Sequence, residues 1–159
     1  MASTNEPRLS VWDRLVDSSL VPDLAGVLPR NSVNDVRESI RAELIRLLNS
    51  RRSALARSES YGELDRSLVN YGIPDFTGAN MRAGDDRESL RLEIERTIRL
   101  FEPRLSSVRV ELLSPEQPSD RTVRLRIHAQ LKVFDRTEPV AFESQLDAAK
   151  RRFDVKVSE

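Results

Sequence analysis

A chain of 159 residues has room for one domain with a real core and little more. Its 26 basic and 26 acidic residues cancel, so no global field draws it to nucleic acid or anionic lipid, and 33% charged against 5% aromatic residues suits a small core in an ion-rich surface. There are no cysteines, which excludes a disulfide framework or a thiolate metal site and fits a reducing cytoplasm.

Residues 1–9 read as a disordered tail and residues 10–159 as a single domain. Met1 to Arg8 lacks the apolar run of a signal peptide, and no stretch approaches the roughly 18 apolar residues of a membrane span, so the expectation is a soluble, cytoplasmic protein with no direct membrane insertion. Ser10, with Asp13 three residues on, caps a short helix whose apolar side is Val11, Trp12, Leu15 and Val16. Trp12, the single tryptophan, either fastens that helix to the core or anchors a partner. Asp17 to Asn31, broken by Pro22, Gly26 and Pro29, predicts an ordered loop across the surface.

Ser32 and Asp35 form a second capping box. Val33, Val36, Ile40, Leu44, Leu47 and Leu48 then make one helical stripe, with Arg51 and Arg52 placed at the negative end of the helix. Tyr61, Leu64, Leu68 and Tyr71 predict a short third helix. Gly72 would stop it in the left-handed conformation, Ile73 would supply the closing apolar contact, and Pro74 forbids continuation. Asp75 to Gly84 is a loop.

The next helix carries Leu90, Ile94, Ile98 and Phe101 at helical spacing, with Asp85 as N-cap, Glu88 in capping-box position and Glu95 to Arg99 as an i,i+4 pair. Pro103 ends it. Glu102 therefore stands where unpaired carbonyls repel a carboxylate, which predicts a cation beside it: Arg104, or an arginine from elsewhere.

Beyond Pro103 the period changes from 3.6 to 2. Val108 to Leu112 alternates, Ser114 to Arg121 connects, and Val123, Leu125, Ile127, Ala129, Leu131 and Val133 give a long strand with one buried face. Phe134 to Pro139 is predicted to turn the chain into Val140, Phe142, Ser144 and Leu146, whose wet face is acidic where its neighbour's is basic, favouring an antiparallel hairpin. Phe153, Val155 and Val157 suggest a last short edge strand. The fold class is α+β, with N-terminal helices packed on one face of a three- to four-stranded, mainly antiparallel sheet.

Little chemistry is written into this pattern. His128 is the one histidine and falls on a polar strand face, so neither a metal site nor a cofactor is called for, and there is no Gly-rich phosphate loop, nucleophile elbow or Ser/His pairing. A glycoside hydrolase needs two carboxylates about 5 to 9.5 Å apart, for which Glu102 with Glu143 or Asp147 would be the candidates. Arg124, Arg126 and Lys132 form a basic strip without stacking aromatics, beside an acidic strand, which argues against nucleic acid. The residues alone indicate a binding or structural domain without catalytic residues.

An ordered set of motifs resembles a known family. Val11 to Leu15, Ser32-Val33 leading to Leu47-Leu48-Asn49-Ser50-Arg51-Arg52, Leu68 to Phe76 with its Asn-Tyr-Gly-x-Pro-Asp turn, Phe101-Glu102-Pro103-Arg104-Leu105 and Val140 to Asp147 fall in the order seen in TssE, the baseplate wedge subunits of the type VI secretion system. These belong to the wider contractile phage-tail baseplate wedge, or acidic-lysozyme-like, group. The resemblance implies a non-enzymatic subunit that joins its wedge through TssF and TssG and starts polymerisation of the TssB and TssC sheath, whose arms can add strands to its sheet. It carries over Glu102, Pro103 and Arg104. With Trp12, Arg51, Arg52 and Tyr71 these are the expected partner-binding or structural residues. The alternatives are a peptidoglycan glycoside hydrolase and a small regulatory adaptor of the same fold. Ser50, Phe76 and the absence of a glycine turn in Ala148 to Phe153 depart from the family pattern, which bears on the C-terminal strand.

Overall fold

The computed structural model describes residues 33–53, 66–76, 84–113, 123–133, 136–147 and 152–158. The tail at 1–9, the helix around Trp12, the loop at 17–31, the cap Ser32 and the first half of the expected third helix lie outside the described residues.

Helix α1 (Val33–Asn49) buries Val36, Ile40, Leu44, Leu47 and Leu48, the stripe its spacing predicts. Helix α2 (Gly84–Phe101) buries Leu90, Ile94 and Ile98, with Phe101 half-buried against the same core. It begins at Gly84, two residues before the start that an Asp85 N-cap would give. Asp85 and Asp86 therefore occupy its first turn, where they complement the helix dipole, and Glu88 gives its carboxylate to Arg91 at 2.9 Å, so the predicted capping box is not formed.

Four strands follow: β1 (Leu105–Leu113), β2 (Val123–Val133), β3 (Arg136–Asp147) and β4 (Arg152–Ser158). They form one antiparallel meander in the order β1-β2-β3-β4. The inward positions of β2 are all buried, and Val108, Val110, Phe142, Leu146, Phe153 and Val155 complete the apolar face. Each fully buried side chain there contributes about 1.5–3 kcal/mol of transfer free energy. α1 lies against β4 and α2 against β1, so the two helices cover one face and leave the other wet. This is the α+β arrangement read from the sequence.

Three local expectations need correction. Where the third helix can be followed it is only a 3₁₀ turn, Leu68–Asn70, with Tyr71 extended at φ −65°, ψ 131°. Leu68 is 84% exposed, so the apparent apolar stripe buries nothing there. The β2–β3 hairpin is tighter than the predicted turn: Arg136, Thr137, Glu138 and Pro139 pair with Val133, Lys132, Leu131 and Gln130. And β1 starts at Leu105, directly after the Glu-Pro-Arg sequence, because a bulge follows Ser106.

That bulge solves a phase problem. Leu105 and Val108 are three apart, and in a regular strand they would face opposite ways. One extra residue on β1 between Ser106↔Gln130 and Arg109↔His128, with Ser107 at φ 51°, turns both inward, where they are 5% and 1% exposed.

Candidate interaction surface

The Glu-Pro-Arg sequence sits where both helices meet the sheet. The Glu102 N–H donates to the Ile98 carbonyl at 2.8 Å, closing α2, and the Leu105 N–H donates to the Glu102 carbonyl at 3.1 Å, opening β1. The Glu102 residue is only 4% exposed. Arg104 meets its carboxylate as a fork, with Nε to Oε1 at 2.7 Å and Nη2 to Oε2 at 2.6 Å. The remaining Nη1 donates to Ser39 Oγ of α1 at 2.9 Å, and the Arg104 carbonyl accepts from the Lys132 N–H of β2 at 2.9 Å. The cation that the position of Glu102 demands is thus Arg104, and the pair ties α2, α1 and β2 together. Pro103 is exposed on the outside of this joint.

A second joint lies at the end of α1. The Ile73 N–H donates to the Ser50 carbonyl at 3.0 Å and the Arg52 N–H to the Ile73 carbonyl at 2.9 Å, a short parallel bridge between Arg51 and Ile73. Gly72 makes it possible. Its φ is +100°, and a Cβ there would stand 2.4 Å from the Ser50 carbonyl oxygen. The glycine is needed for this close approach as well as for its dihedral, rather than to cap an α-helix.

Arg52 Nη2 reaches Glu93 of α2 at 2.8 Å, and Arg51 pairs with Asp75 while stacking over the Phe76 ring at 5.4 Å. Tyr71 packs edge-on against Phe101, centroids 5.3 Å apart. Burial, then the negative charge of Glu43, pushes its phenol above the ordinary value; Arg46 opposes this and Glu102 adds to it. Glu102, Arg104 and Tyr71 therefore gather about the end of α2, with Arg51 and Arg52 fixed to the same Tyr71–Ile73 segment. Trp12 lies outside the described residues.

Of the carboxylates considered for glycoside hydrolysis, Glu102 and Glu143 do not converge, and the Asp147 side chain lies outside the description. Glu102 is buried in the helical layer, and Glu143 is exposed on the wet face of the sheet, where its Oε1 accepts from Arg126 Nη2 at 2.6 Å. The sheet separates them. His128 is exposed on that wet face, 3.8 Å from Glu111. Among the described residues no group of three or more His, Cys, Asp or Glu could hold a metal, and no helix is long and apolar enough to cross a membrane.

The sequence reading missed how both outer strands are guarded. From α2, Arg99 Nη2 donates to the Val108 carbonyl at 2.7 Å, Arg91 Nη1 to Val110 at 3.4 Å and Arg87 Nη2 to Leu113 at 3.2 Å. Glu95 accepts the Val110 N–H at 3.0 Å while holding Arg91 at 3.1 Å and Arg99 at 2.6 Å. From α1, the Asn49 amide exchanges two 2.9 Å bonds with the Phe153 backbone, and Arg41 Nη1 donates to the Val155 carbonyl at 3.2 Å. The signal was present in Arg87, Arg91, Glu95 and Arg99, a polar row at i+4 spacing along one helix. It read as a solvated face because nothing local says that a strand edge lies alongside.

The profile of the family described as "Baseplate wedge protein gp25" matches residues 34–135. That span runs from the first turn of α1 to the start of β3 and contains both joints. No curated protein matches the chain.

Proposed function

The chain belongs to the baseplate wedge protein gp25 family, and from that membership we infer that it is a structural baseplate subunit of a type VI secretion system. In this reading it works in the cytoplasm, joins the wedge by contact with TssF and TssG, and offers its sheet as the place from which the TssB and TssC sheath polymerises. It has no reactive centre and acts by shape.

The observation that carries the reading is the use made of Glu102 and Arg104 within the family's span. Glu102 is the carboxylate that the glycoside hydrolase alternative would have to keep accessible, and here it is buried against Arg104 as a brace between helices and sheet. Such a brace suits a rigid platform. Tyr71, Arg51 and Arg52 extend it along α1 and α2, while exposed Pro103 and half-exposed Arg51 are the members a wedge partner can reach.

Affinity purification of the tagged chain from its native cells tests this. Recovery of TssF and TssG, with loss of fluorescent TssB foci when the chain is deleted, is the expected result. Recovery of neither wedge nor sheath proteins, with sheath assembly intact in the deletion strain, would overturn it.

A further inference from the structure

Arg87, Arg91, Glu95 and Arg99 recur every fourth residue of α2, and Arg109 and Glu111 alternate with buried Val108 and Val110 on β1. Between the two elements lies a cleft of about 710 Å³, walled by four arginines and three glutamates, with Val110 and Leu112 in its lining.

The charges of this wall are unevenly spent. Arg91 is held by Glu88 at 2.9 Å and by Glu95 at 3.1 Å, and Glu95 also takes Arg99 at 2.6 Å and the Val110 N–H at 3.0 Å. Both carboxylates are thus answered within the wall, while the Arg99 side chain remains 58% exposed. Glu111 is exposed at the rim, 3.8 Å from His128. Among the described residues, Arg87 bonds only the neutral Leu113 carbonyl, at 3.2 Å, and Arg109, exposed, has no hydrogen bond or ion pair. Two guanidinium groups are therefore left without a carboxylate.

Their places along the cleft follow from the strand. Arg99 and Arg87 are pinned to the Val108 and Leu113 carbonyls. These stand five residues apart, about 17 Å at roughly 3.4 Å per residue. Arg109 follows Val108, so two cations mark one end of the cleft and one the other.

The edge beneath is closed to a further strand, because Val110 gives its N–H to Glu95 and its carbonyl to Arg91, and Arg99 takes the Val108 carbonyl. An occupant must be held by side chains. A nucleic acid strand fits poorly: no aromatic ring is among the described lining, and Glu88, Glu95 and Glu111 repel a continuous line of phosphates. Separate carboxylates spaced to the arginines meet neither obstacle, and each can be taken by a guanidinium fork.

We propose that this cleft receives an extended acidic segment of a partner protein. One carboxylate lies between Arg99 and Arg109, a second meets Arg87, and an apolar side chain between them rests on Leu112. The contact is additional to the baseplate role and does not depend on it.

The test uses the full chain and the capped peptide Asp-Thr-Val-Thr-Asp, which in extended form puts both carboxylates and the valine on one face, about 14 Å end to end. Binding is read by NMR from the Nε–Hε signals of Arg87, Arg99 and Arg109. All three shift together as the peptide is added, and raising the salt to about 0.5 M weakens the binding at least about threefold. No shift at about 10 mM peptide overturns the proposal.

Arg109 is exposed and unbonded, so Arg109→Glu folds as the parent does; it is expected to weaken binding at least about tenfold, whereas Arg126→Ala, outside the cleft, leaves it unchanged. Parental affinity in both Arg109→Glu and Arg87→Gln overturns the assignment, as does equal binding of Asn-Thr-Val-Thr-Asn. An oligothymidylate that shifts the same three signals at lower concentration than the peptide makes this a nucleic acid site and overturns it too.

Discussion

Glu102 is an acidic residue at the unfavourable end of a helix, and what makes it tolerable is a guanidinium two residues away in the same chain. Removing one partner from a buried pair leaves the other charge without compensation, at a cost of about 3–5 kcal/mol. Glu102→Gln keeps the shape and deletes the charge, so we expect a loss of that order in urea unfolding, and a similar loss for Arg104→Leu. The double variant Glu102→Leu with Arg104→Leu should lose clearly less than the sum, because no uncompensated charge remains. Strict additivity would show that the two act separately and that the brace is not a unit.

At the scale of the element, the helices were legible because each buries one stripe whose period is written in apolar residues, and β2 because six inward positions alternate without interruption. The Glu102–Arg104 pair was legible from a broken rule. The third helix was misread because Leu68 and Tyr71 have helical spacing but only Tyr71, against Phe101, meets the core, and exposed Leu68 shows that spacing alone does not make one. The bulge was invisible: Leu105 is out of phase with Val108 and Val110, and only the pairing of β1 with β2 reveals the extra residue that turns it inward.

Ser107 is the residue that corrects this phase, and it does so in the left-handed region at φ 51°. Ser107→Gly should therefore stabilise by about 0.4–1 kcal/mol, since glycine adopts that conformation without strain. Deleting Ser107 should do the opposite. Either Leu105 or the Val108 and Val110 pair must then turn outward, and losing one or two buried aliphatic side chains costs about 2–5 kcal/mol. Thermal melting of the two variants in opposite directions is the expected outcome. A deletion that melts with the parent would mean that the strand does not need its bulge.

For the whole molecule the question is how a four-stranded sheet with two edges stays single. An open edge is a template for any other strand, and one four-stranded meander has two. Here α2 lays a row of arginines and Glu95 along β1, and α1 lays Asn49 and Arg41 along β4, so the layer that covers the core also covers the edges. Asn49 is the strictest of these guards, since its amide replaces both bonds that a neighbouring strand would make with Phe153. Asn49→Leu keeps the size of the side chain and cannot bond. It should leave two backbone groups unmet, at about 1–3 kcal/mol each while they stay dry, or invite a strand from a second copy. Sedimentation velocity over a range of concentrations should show heavier species for Asn49→Leu that the unsubstituted chain lacks, whereas Arg126→Ala, on the wet face away from either edge, should sediment as the parent does. If Asn49→Leu also sediments as the parent, the edge is kept closed by something other than this amide, and β4 is protected by its own charges at Asp154 and Lys156.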